Sequence, residues 1–195
     1  MNKLPKSISK INLICHTNPT FKKKPEIFEI ALGGSNEEQI KYAKEISGKE
    51  IKVSDVFKEG DLVDVSAVTK GKGFEGPVKR FGIKTLGRKY QQMARHTGSL
   101  GQNEPGKIRW TVPQAGQKGF QTRTELNKRI LKISNNFSIN GGFLNYGNIS
   151  GEYIFLEGCV PGPKKRLIRL RQAIRPKKVY PVEITQISTE SKQGV

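Results

Sequence analysis

Phe81-Gly82-Ile83-Lys84-Thr85-Leu86-Gly87-Arg88-Lys89-Tyr90-Gln91-Gln92-Met93-Ala94-Arg95-His96-Thr97-Gly98-Ser99-Leu100-Gly101-Gln102-Asn103-Glu104-Pro105-Gly106-Lys107 shows neither a helical nor an alternating apolar period. It is poor in aliphatic side chains and rich in Gly, Gln and Arg, so it reads as an extension that lies against something else. Leu62-Val63-Asp64-Val65-Ser66-Ala67-Val68 precedes it and Ile108-Arg109-Trp110-Thr111-Val112 follows it, and both read as β-strands. The expectation is therefore two strands with a long basic finger between them. From Val65 to Lys132 there are fifteen Lys or Arg residues against Glu75, Glu104 and Glu125. A surface of that kind requires a polyanion.

Composition sets the outer bounds. The chain has 195 residues, a formal charge of +18, a pI near 10.0, 34% hydrophobic residues and a mean hydropathy of −0.55. That combination fits one domain, or one and a half, with a modest core and long unpacked arms. Nucleic acid is the favoured partner over an acidic protein or a membrane surface. Cys15 and Cys159 form no C-x-x-C pair and imply reduced thiols, with neither a disulfide framework nor a zinc site. Met1 to Lys10 lacks the apolar centre of a signal peptide and no apolar run is long enough for a membrane span, so a cytoplasmic location without membrane contact is expected.

Working outward, Ile11 to His16 and Phe28 to Leu32 read as strands, separated by Asn18-Pro19 and the basic turn Lys22-Lys23-Lys24-Pro25. Ser35, three residues before Glu38, predicts a capped helix over Asn36 to Ile46 with Gly48 closing it. His16 has no acidic or histidine partner in reach and reads as a strand-end residue. Lys58-Glu59-Gly60-Asp61 reads as a tight turn before the strand Leu62 to Val68, which alternates as a half-buried strand should. Gly71-Lys72-Gly73-Phe74-Glu75-Gly76 fits G-x-G-x-x-G, but Pro77 stands where a phosphate-binding helix would begin. Neither an acidic ribose ligand about twenty positions on nor the kinase H-R-D and D-F-G motifs occur. Those glycines instead let backbone approach sugar and phosphate beside Lys70, Lys72, Lys79 and Arg80.

The finger offers Lys84, Arg88, Lys89, Arg95, His96, Lys107 and Arg109 to phosphates, and Tyr90, Gln91, Gln92, Gln102 and Asn103 to bases and 2′-hydroxyls. Trp110 alternates with Ile108 and Val112, which favours a core position over base stacking. Phe143 to Gly147 and Tyr153 to Val160 read as further strands. In Lys164-Lys165-Arg166-Leu167-Ile168-Arg169-Leu170-Arg171 cations interleave with aliphatics, so one face packs while the other meets phosphate. The tail from Val179 is polar and extended.

Together, Val53 to Gly60, Thr69 to Arg80, Trp110 to Gln117, Arg123 to Arg129, Gly141-Gly142-Phe143 and Val160 to Arg171 resemble the ribosomal protein L three family in its archaeal form. The similarity extends over nearly everything from Ile11 to Gly194. It implies a mainly β fold, a translation-protein-type β-barrel with a long inward-reaching basic loop, one short helix and an extended C-terminal tail. On that scheme residues 1–52 hold an N-terminal strand, basic turn and helix, 53–80 barrel strands, 81–107 the finger, 108–178 the remaining barrel strands and basic segment, and 179–195 the tail. The function implied is that of a non-catalytic constituent of the large ribosomal subunit, in the cytoplasm. Its roles would be to bind large-subunit (23S-type) rRNA, support early assembly and reach toward the peptidyl transferase centre. Partners would be that rRNA and neighbouring large-subunit proteins, with no cofactor beyond Mg or K ions held by the RNA. The RNA-binding assignments are the residues named above together with Gln114, Gln117, Lys118, Arg123, Lys128, Arg129, Lys164, Lys165, Arg166, Arg169 and Arg171.

Two departures from the family pattern stand out. The family's loop usually carries a tryptophan near its tip, where this chain has Asn103 in Gly101-Gln102-Asn103-Glu104-Pro105; an amide can bond a base edge but lacks the ring's π surface. Archaeal members also have considerable sequence before the segment matching Ile11, and the expectation is either that a separate N-terminal chain completes the barrel or that a shortened protein is held in shape by RNA. Two other classes fit the residues less well. An RNA-acting enzyme should show a general base, nucleophile or metal set, which the separated His16 and His96 do not supply. A chromatin protein would prefer regular duplex to the folded RNA that a glycine-punctuated finger suits.

Overall fold

The structure, a computed structural model, describes residues 9–104, 106–191 and 193. The loose stretch expected at the N-terminus lies outside the described residues as far as residue 8, as do Pro105 of the finger and residues 192, 194 and 195 of the tail. In chain order the strands and α-helices are β1 (Asn12–His16), β2 (Ile27–Ala31), α1 (Asn36–Ile46), β3 (Leu62–Val68), β4 (Phe74–Glu75), α2 (Pro77–Phe81), β5 (Gly116–Gln117), β6 (Thr122–Asn135), β7 (Glu152–Leu156) and β8 (Arg169–Gln172). The fold is mainly β. Among the described residues the strands form a β1–β2 pair, a β4–β5 pair and a four-stranded sheet in the order β7-β6-β3-β8. That sheet is open, and no closed barrel is present among the described residues.

The chain divides into two compact units. The first comprises Met1–Val63, Asn127–Cys159 and Gln172–Val195. Its β1–β2 hairpin is antiparallel, pairing Leu13 with Ile30 and Cys15 with Phe28. The alternation of Leu13 and Cys15 with polar or exposed neighbours is what selects a strand here. Helix α1 has the predicted bounds and cap: the Ser35 N–H donates to the Glu38 carboxylate (2.9 Å). This bond and that from the Ser35 side chain hold the Glu38 carboxyl below its usual range. The helix docks through buried Gln39, whose Oε1 accepts from the Ile11 N–H (3.2 Å) while its Nε2 donates to the Gly34 carbonyl (2.9 Å). A polar residue thus joins helix to hairpin, while Ile40, Ala43 and Ile46 are half-buried and Tyr42 is exposed.

Phe137 stands at the centre of an aromatic cluster, with ring centroids 6.0 Å from Phe143, 5.5 Å from Tyr153 and 5.4 Å from Phe155. Tyr153 and Phe155 reach it because they are two apart on β7 and share a face. The strand expected over Phe143 to Gly147 is instead a tight turn closed by an isolated Phe143–Gly147 bridge, preceded by Gly141 and Gly142 at positive φ. The described part of the tail has no regular secondary structure. The Arg129 guanidinium donates to the Tyr180 carbonyl and the Asn140 N–H to the Thr189 carbonyl (3.3 Å), which ties the tail to this unit.

The second unit comprises Asp64–Leu126 and Val160–Arg171. Strand β3 has the predicted bounds but departs from half-burial: Val63, Val65 and Ala67 are buried, and so is Asp64, only 2% exposed, on the opposite face. Arg171 meets the Asp64 carboxylate at 3.3 Å. A carboxylate removed from water needs such partners. The strand expected at Ile108 to Val112 does not form. The Val112 N–H donates to the Arg109 carbonyl (3.1 Å), making a turn, and Trp110 is 94% exposed rather than in a core.

Two further corrections follow. Pro77 does begin a helix, because at a first helical position its missing N–H has no intrahelical partner to lose. The helix is only five residues long and ends at left-handed Gly82, so among the described residues there are two short α-helices where one was expected. The finger is also more than an extension. It holds a kinked 3-10 segment at Arg88–Met93, and the Leu86 N–H closes onto the Ala94 carbonyl (2.8 Å).

Gly119 lies at φ +72, and a Cβ there would stand 2.0 Å from the Lys70 carbonyl oxygen. Gly73, at φ +74, would meet nothing within 4 Å. Both alanine variants carry left-handed strain of about 1–2 kcal/mol, but only Gly119→Ala must also push backbone apart. Urea denaturation should show Gly119→Ala the less stable of the two by at least ~1 kcal/mol; equal losses would refute this packing.

Candidate nucleic-acid interface

The ends of the finger are brought together by backbone. Antiparallel β4 and β5 pair Phe74 with Gln117 and Glu75 with Gly116. Beyond them the Lys72 N–H donates to the Lys118 carbonyl (2.9 Å) and the Lys118 N–H to the Gly73 carbonyl (2.9 Å). Farther along, the Thr69 N–H bonds the Gln121 carbonyl (2.9 Å). The glycine-rich motif is therefore one side of a β-ladder.

Side chains complete the closure. From α2, Arg80 Nε donates to the Gln117 carbonyl (3.2 Å) and Nη1 to the Gln114 carbonyl (2.9 Å), with its guanidinium 5.0 Å from the Phe81 ring centroid. Lys118 Nζ donates to the Lys79 carbonyl, and the Thr97 hydroxyl donates to the Pro113 carbonyl. Two of the cations assigned to RNA, Arg80 and Lys118, thus join the backbones of the finger's two ends. Planar, multi-donor guanidinium suits the task of bridging two carbonyls better than an ammonium would.

Other assigned residues divide in the same way. Arg166 Nη1 bonds the Val68 and Thr69 carbonyls (3.1 and 3.0 Å), and its guanidinium is 5.5 Å from the Phe120 ring centroid. Arg171 pairs with Asp64, and Lys79 lies 3.6 Å from Glu75. The Gln117 amide bonds the Lys118 and Gly119 carbonyls, and Arg123 bonds its neighbour's carbonyl at Thr122 (3.4 Å). Lys70, Lys72, Lys84, Arg88, Lys89, Arg95, His96, Asn103, Lys107, Arg109, Gln114, Lys164, Lys165 and Arg169 are exposed. In the first unit Lys128 and Arg129 are half-buried. Leu167, Ile168 and Leu170 are half-buried while Lys164, Lys165 and Arg169 face solvent, which is the two-faced arrangement expected of that segment.

What sequence reasoning missed is aromatic. Phe74, Phe81, Trp110 and Phe120 are exposed, as is the already assigned Tyr90, and all five are interspersed in the sequence with exposed cations. The signal for Trp110 was available in its neighbourhood: Gly106 on one side and Pro113 on the other favour a turn over a strand. Among the described residues no three His, Cys, Asp or Glu side chains gather as metal ligands, and no helix is long and apolar enough to cross a membrane.

Fold and surface together define a strongly basic, mainly β protein. The chain belongs to the ribosomal protein L3 family, whose description matches residues 1–194. It is 51% identical over 203 residues to the large ribosomal subunit protein uL3 of Methanocaldococcus jannaschii, covering 98% of this chain and 61% of that protein. Against the uL3 proteins of Methanopyrus kandleri and Archaeoglobus fulgidus the identities are 51% and 50%, covering 96% and 95% of this chain and 56% and 60% of theirs. The chain thus spans about 60% of the length of the curated relatives it matches.

If Arg80 holds the finger's ends, Arg80→Ala should speed amide exchange at Gln117 and Lys118 and lower stability by ~1–3 kcal/mol. Exposed Arg88→Ala should stay within ~0.5 kcal/mol of the parent. Hydrogen exchange followed by mass spectrometry checks both, and unchanged exchange in the Arg80 variant would reject the clamp.

Proposed function

We propose that this chain is a non-catalytic structural constituent of the large ribosomal subunit, acting in the cytoplasm by binding large-subunit rRNA of the 23S type. The observation that carries this reading is the run of exposed cations Lys84, Arg88, Lys89, Arg95, Lys107 and Arg109 on a glycine-punctuated segment with its ends joined by β-structure. Such a surface neutralises phosphates, while Gln, Asn and glycine backbone follow irregular RNA. Membership of a family whose archaeal relatives are named large ribosomal subunit protein uL3 supports the same assignment.

On this reading the finger is the part that reaches into folded RNA toward the peptidyl transferase centre, and early assembly depends on that penetration. Lys70, Lys72, Lys164, Lys165 and Arg169 contact phosphates outside the finger, and Asn103 bonds a base edge. Ions at the interface are Mg2+ or K+ held by the RNA. Neighbouring large-subunit proteins are the remaining partners. β7 and β8 are the edge strands of the open sheet, and their outer backbone groups suit pairing with further strands that close a translation-protein-type barrel.

Binding to transcribed large-subunit rRNA should fall steeply with KCl. Replacing Lys84, Arg88 and Lys89 together by Ala should reduce the slope of log K against log salt by about 2–3. Filter binding over a salt series measures this, and a salt-insensitive complex would reject the assignment. Mass spectrometry of the purified large subunit tests the rest: peptides of this chain must be present, and their absence from the particle would overturn the assignment.

A further inference from the structure

The only tryptophan in the chain is Trp110, and 94% of it is exposed. Its position explains the exposure. The bond from the Val112 N–H to the Arg109 carbonyl makes Trp110 and Thr111 the two central residues of a turn, where side chains stand away from the backbone they reverse. The turn is anchored on its C-terminal side, because the Pro113 carbonyl accepts from the Thr97 hydroxyl and the Gln114 carbonyl from Arg80. An indole mounted on fixed backbone loses little freedom when a partner covers it.

The surroundings select the partner. No acidic residue occurs between Glu104 and Glu125, while Lys107, Arg109, Lys118 and Arg123 do. Arg109 and Val112, the ends of the turn, also line a recess of about 330 Å3 together with Gln102, Glu104 and Lys107. A large π surface beside phosphate-neutralising cations and base-edge hydrogen-bonding groups matches an unstacked nucleotide. The recess carries Lys107 and Arg109 against Glu104 alone, and that net positive charge favours a phosphate-bearing partner over a protein surface.

We infer that Trp110 is a base-stacking residue, a platform for one unpaired nucleobase of the RNA, separate from the finger-tip position now held by Asn103. This rests on the RNA-binding reading above. Because Trp110 is the sole tryptophan, its fluorescence reports on itself. Titrating the full chain with transcribed large-subunit rRNA should quench the emission and shield it from acrylamide. Trp110→Ala should weaken binding about 5- to 150-fold, the span that base–aromatic stacking covers, with the salt slope unchanged, and Trp110→Phe should recover most of the loss.

Failure of the parent chain to bind RNA would defeat the proposed function itself. Salt-dependent binding with unaltered emission, unaltered acrylamide access and an equal affinity for Trp110→Ala would overturn the stacking assignment alone. So would protection of Trp110 that appears only when other large-subunit proteins are added to the RNA complex. Since the side chain is almost wholly exposed, its removal leaves the fold intact, and retention of the parent's urea midpoint confirms that the variants are comparable.

Discussion

Closure of a long segment on a very short ladder is the constraint on which the basic face depends. About 40 residues separate Glu75 from Gly116, yet β4 and β5 are two residues each. Bringing such ends together costs roughly 3 kcal/mol of chain entropy. A few backbone bonds worth about 1 kcal/mol each offset that cost, and the flanking bonds at Lys72, Lys118 and Thr69 supply them. Arg80 adds two more by joining α2 to the carbonyls of Gln114 and Gln117. Without this closure the cations between would belong to an unrestrained coil.

The positive charge is accordingly divided between two tasks. Arg80, Lys118 and Arg166 give their N–H groups to backbone carbonyls, and Arg171 accompanies the buried Asp64 carboxylate. Residues such as Lys84, Arg88, Lys89 and Lys107 remain in water. The first group settles the backbone on which the second is displayed. Exposed rings in the same stretch of sequence, Trp110 above all, add an apolar component that a surface made for solvent alone would not carry.

Much of this was legible in the residues. Ser35 and Glu38 set the start of α1, and Asn12 to His16 and Leu62 to Val68 declared themselves as strands, because each signal is local: a cap, an alternation, a turn at Lys58 to Asp61. The longest strand among the described residues, β6, carries no such local signal. Its two-residue period is interrupted by Asn127 at φ 55 and by a register shift between Ile130 and Lys132, so no single alternation runs through it. The basic character of the finger and its list of candidate contacts also came directly from charge and glycine spacing.

Residue chemistry by itself determined that this is a cationic, mainly β chain, because charge, capping and short-range alternation survive without knowledge of which segments meet. Only the tertiary structure decided which cations are occupied and which are available. Arg80 and Arg88 are the same amino acid in the same basic run, and what separates them is the carbonyl pair that β5 and its approach place in front of one of them. The same holds for Trp110: alternation assigned it to a core, but a turn between Arg109 and Val112 has no partner strand to cover it, and the ring is left facing water.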